Sequence, residues 1–161
     1  MGKDYAVRGC GSIIIGLGSL ILGLLMFIRG VSWFNETVMP WLIGSIPILF
    51  LIEVLLLLLS IKASARELCG AYMFAVANVI LLVAWAEGVV MSYSTGGIFW
   101  LIVGLLMGWL GVIPVAIVGC LTHGYWTELV ILILALGLSI GSQVLALSIL
   151  RRAETTLPNS S

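Results

Sequence analysis

The 24 residues IFWLIVGLLMGWLGVIPVAIVGCL (98–121) carry no charge. A hydrocarbon core about 30 Å thick is crossed by about 20 apolar residues in a helix rising about 1.5 Å per residue. Read as one helix, the stretch is long enough to cross. It becomes the fourth of about five such segments, the others covering residues 10–29, 41–61, 70–92 and 128–150. The expected fold is therefore all-α: a polytopic bundle forming one transmembrane domain over residues 1–161, with short polar tails at 1–9 and 151–161.

Composition supports lipid as the solvent. The chain is 62% hydrophobic and 9% charged, whereas soluble domains are roughly 25% charged. Its mean hydropathy is +1.28. A domain of 161 residues could not hide so much apolar surface from water. Seven basic and seven acidic residues balance, so no basic patch suggests nucleic acid as a partner. The pieces between segments, such as KASARELCG and THGYWTE, are too short to fold alone.

Glycine punctuates the quoted stretch. On a straight helix Gly97, Gly104, Gly108, Gly111 and Gly119 share an arc of roughly 80°, and Gly104 with Gly108 forms a GxxxG pair. The first segment repeats the theme at heptad spacing with Gly9, Ser12, Gly16, Ser19 and Gly23. The fifth carries Ala135, Ser139, Ser142 and Ala146 on one stripe, and Gly137 with Gly141 as a second pair. Lipid offers leucine no drive to leave it, so membrane helices associate where small side chains let backbones approach. These residues are the expected helix-packing surfaces, whether within one chain or between chains. Pro47 and Pro114 are expected to kink the second and fourth segments, each removing a backbone donor.

Four polar residues interrupt the apolar field as candidates for ion or proton coupling: Glu53, Asn78, Glu87 and Gln143. A charge at the bilayer centre costs about 2.5–3.5 kcal/mol or more, so such residues face protein or water. Counted from the segment ends, Glu53 and Asn78 lie at similar depth, which makes Asn78 the expected partner of Glu53. Glu87 turns to the opposite side of its helix, and Gln143 is the residue expected to reach it.

Orientation is weakly marked. With five crossings Lys3, Arg8, Lys62 and Arg66 lie on the N-terminal side, against Arg29, Arg151 and Arg152. That balance slightly favours a cytoplasmic N-terminus, and Cys10, Cys69 and Cys120 would share that side. A competing topology keeps both tails on one side by making one hydrophobic segment re-entrant.

No nucleophile–base pair, metal-ligand spacing or phosphate loop is evident, and no cofactor is implied. The leading expectation is a non-enzymatic structural or accessory subunit, embedded in the lipid bilayer and bound to other membrane subunits or to itself. The alternative is a small proton- or cation-coupled transporter or channel using Glu53.

Overall fold

The computed structural model describes the backbone of residues 2–62, 65–107 and 111–156, and within these the side chains of residues 13–152. Six helices follow one another: α1 (Gly2–Arg29), α2 (Val31–Thr37), α3 (Met39–Leu59), α4 (Arg66–Leu106), α5 (Val112–His123) and α6 (Trp126–Thr156). No strand occurs among the described residues.

Three of these helices are long and apolar enough to cross a membrane: α3, α4 and α6 over Trp126–Arg152. A fourth crossing is reached by joining α1 to α2, which meet at a 113° bend. Gly30 makes that corner with φ 88° and ψ 149°, a backbone region that only glycine enters readily.

The expected fifth crossing, 98–121, is absent as a continuous helix. The chain turns sharply at Gly97 (φ 66°, ψ −160°) inside α4. Residues 98–106 then run back, and α5 runs out again. At about 1.5 Å per residue these pieces measure roughly 14 and 18 Å, too short for a core of about 30 Å.

Contacts fix the path of this hairpin. Gly104 packs against Val112, Ser92 Oγ donates to the Val112 carbonyl at 3.1 Å, and Gly119 packs on Thr95. Both ends of the hairpin, Gly97 and Gly124, therefore lie at the far end of α4, while Val112 sits deeper, level with Gly88 and Ser92. Pro114 falls in the first turn of α5. The missing donor costs no intrahelical bond there, so Pro114 helps to start a helix where a kink was expected. Pro47 lies inside a continuous α3.

Helix α4 is the central post and touches every other helix. Its residues 83–90 are buried on all sides. A methyl on Gly70 would come within 2.8 Å of Leu150, and Ser139 Oγ donates to the Ala77 carbonyl at 2.8 Å. These contacts set α6 antiparallel to α4. By contrast α3 buries only Met39 and Glu53 among its residues.

Candidate functional site

The polar interior is built where α3, α4 and α6 meet. Glu53 is 4% exposed, and its Oε2 accepts a 2.6 Å hydrogen bond from Ser142 Oγ. Its Oε1 has no partner among the described residues. One level away, Ser139 is bonded to the backbone of α4 at Ala77. The expected partner Asn78 is buried nearby, but its Nδ2 donates to the Phe74 carbonyl of its own helix at 2.6 Å. Ser142 has replaced Asn78 as the residue that reaches Glu53. Under five crossings residues 128–150 run parallel to 70–92, which puts Ser142 at another depth. Only the antiparallel arrangement of α6 against α4 brings Ser142 level with Glu53.

This geometry makes Glu53 a tie. Among the described residues it is the polar side chain that α3 sends into the bundle interior, on a helix that otherwise turns lipid-type side chains outward, with Leu51, Leu55 and Leu58 all exposed. A hydrogen bond between membrane helices is worth about 0.6–2 kcal/mol.

Glu87 is separate. It is 1% exposed, and its Oε2 lacks a hydrogen-bond partner among the described residues. The α4–α6 pairing of Ala77 with Ser139 puts Gln143 near the level of Met73, roughly 20 Å along the helix from Glu87. The expected Glu87–Gln143 contact is thus absent; Gln143 Nε2 instead lies 3.5 Å from Ser139 Oγ. The error came from counting depth along five straight spans. Glu128, at the start of α6, lies close enough for its charge to act on both Glu87 and the Cys120 thiol of α5. No cluster of three or more His, Cys, Asp or Glu side chains able to hold a metal occurs among the described residues.

The small residues divide into two groups. Ala135, Ser139, Ser142 and Ala146 are all buried on the inner face of α6. Gly104 and Gly119 lie inside the hairpin, where a methyl on Gly104 would sit 2.9 Å from Val112 Cα and one on Gly119 would strike Thr95. Gly111 is buried at the N-cap of α5. Gly97 is a hinge, with open space around it.

On α1 the contact face is formed by Gly18 against Leu82, with Ser19 and Met26 buried. Gly16 and Gly23 flank that face, with no atom within 4 Å of where a Cβ would be. The expected seam is therefore only partly an internal one. Gly137 and Gly141 are open in the same way. The surroundings of Gly9, the side chain of Ser12, and Gly108 lie outside what the structure describes.

Cys69 and Cys120 are buried free thiols. The hairpin carries Cys120 to the end of the bundle opposite Cys69, so the cysteines do not all share one side. His123 is exposed and bonded locally to Gly119 O at 3.0 Å. Models of known protein families, curated proteins and solved structures were all compared with the chain, and none matches.

Proposed function

We propose that this chain is a multi-pass membrane protein acting as a non-enzymatic structural or accessory subunit, which binds further transmembrane helices through its outer small-residue faces. The observation that carries this reading is the pair Gly137 and Gly141 on α6, four residues apart and turned into open space. No atom of the described residues lies within 4 Å of a Cβ at either position. In lipid, such a pair lets a second helix approach to backbone contact. Gly16 and Gly23 offer a similar surface on α1. Glu53 fits the same reading, because its Ser142 bond holds α3 in place without any transported species.

The topology that goes with this proposal has four crossings, α1–α2, α3, α4 and α6, with the hairpin of 98–123 re-entrant. Both tails then lie on one side. By position in the chain Lys3, Arg8, Lys62, Arg66, Arg151 and Arg152 fall on that side, and Arg29 falls on the other. Six against one is a stronger bias than the four against three of five crossings, and it supports a cytoplasmic location for both tails.

The test is cross-linking in native membranes. Gly141→Cys, placed on the outer face of α6, should give a covalent adduct of higher mass with a second copy or another membrane subunit. Ile140→Cys, exposed and about 100° away on the same helix, should give several-fold less. A purely monomeric Gly141→Cys protein would overturn the proposal. Proton uptake by proteoliposomes that Glu53→Gln abolishes while the fold is kept would overturn it in favour of transport.

A further inference from the structure

A groove of about 690 Å³ opens where the end of α3, the start of α4 and the end of α6 converge. Along the helices the lining is apolar toward the middle of the bundle, with Leu57, Leu145 and Ile149, and polar toward its end, with Ser60, Arg66 and Arg152. Leu145 and Arg152 are seven residues apart on α6, so the polarity changes over roughly 10 Å along the helix. Arg66 Nε donates to the Ser60 carbonyl at 3.3 Å, which orients the guanidinium fork at the mouth of the groove.

The geometry points to a binding site for one anionic phospholipid, with its phosphate at Arg66 and Arg152 and an acyl chain lying between α3 and α6. A planar fork suits phosphate oxygens, and the volume falls within the range of small-molecule sites. The placement agrees with the charge bias, since this is the end of the bundle that collects six of the seven cations, and the cytoplasmic leaflet is the anionic one. This inference rests on the chain being embedded in a bilayer, as proposed above, but not on its binding a partner helix.

The experiment is native mass spectrometry of the full chain in a mild nonionic detergent, titrated with dioleoylphosphatidylglycerol or dioleoylphosphatidylcholine. Each cation near an anionic lipid contributes about 1 kcal/mol, so two predict a preference of about thirtyfold for the phosphatidylglycerol. Arg66→Gln should lower that preference about fivefold. Ser148→Phe, at an exposed position lining the groove, should weaken both lipids while leaving the arginines in place.

Equal binding of the two lipids would overturn the site. So would phosphatidylglycerol binding as tight in Ser148→Phe as in the wild type, which would assign the effect to diffuse surface charge. Displacement of the lipid by millimolar glycerol 3-phosphate would show that only the phosphate is recognised, and would also overturn it. Failure of the Gly141→Cys cross-link leaves each of these outcomes readable.

Discussion

Gly97→Val is expected to open the re-entrant hairpin. At φ 66° and ψ −160° the residue occupies a backbone region essentially closed to any side chain, least of all a β-branched one. Space is not the obstacle, because no atom lies within 4 Å of the position a Cβ would take. The cost is conformational, about 2–3 kcal/mol at minimum, and it falls on the only corner that lets residues 98–106 turn back along α5. Cys120 reports the result. Its thiol is fully buried in the native hairpin, so its maleimide reactivity in detergent should rise at least tenfold in the variant. Gly16→Val is the control: Gly16 has ordinary helical backbone and open surroundings, and Cys120 should stay protected.

Gly104→Leu is expected to reach a similar end by a different route. Its backbone is helical, but a Cβ there would lie 2.9 Å from Val112 Cα and 3.3 Å from Val112 N. Backbone cannot step aside as a flexible side chain can. Overpacking of this kind costs about 1–3 kcal/mol, and separating the two arms also stretches the Ser92–Val112 hydrogen bond. The expected outcome is a lowered unfolding temperature in detergent together with exposure of Cys120. Gly104→Ala should fall between wild type and Gly104→Leu. A Gly104→Leu protein as stable as wild type would mean that the two arms do not touch.

Much of the fold was readable because hydrophobicity in lipid is a blunt and strong signal. The segments at 41–61, 70–92 and 128–150 lie within α3, α4 and α6 or overrun them by a residue or two, and the inner stripe of α6 follows from helical periodicity. The hairpin was not readable by the same means. A re-entrant pair and a crossing helix have the same composition, and the 80° glycine arc holds only if the helix is straight. Once the chain breaks at Gly97, the arc has no physical meaning: Gly97 is a corner, Gly104 a contact between arms, and Gly119 a seat for Thr95.

The polar site was half legible for a related reason. That Glu53 must find a partner at its own depth follows from the cost of burying a carboxyl. Asn78 meets that condition under five crossings, whereas Ser142 does not, because five crossings turn residues 128–150 end for end relative to α4. The same inversion misjudged the level of Gln143 against Glu87, since five straight spans gave α6 the wrong direction against α4.

The central claim is that the chain crosses the bilayer four times, with 98–123 entering and leaving by the same face. Sealed membrane vesicles and a membrane-impermeant maleimide test it directly, using single-cysteine variants Gly2→Cys, Lys62→Cys, Thr127→Cys and Ser160→Cys with the native cysteines replaced by serine. The account expects Gly2→Cys, Lys62→Cys and Ser160→Cys to label from one side and Thr127→Cys from the other. Labelling of Gly2→Cys and Ser160→Cys from opposite sides would contradict it and restore 98–121 as a crossing.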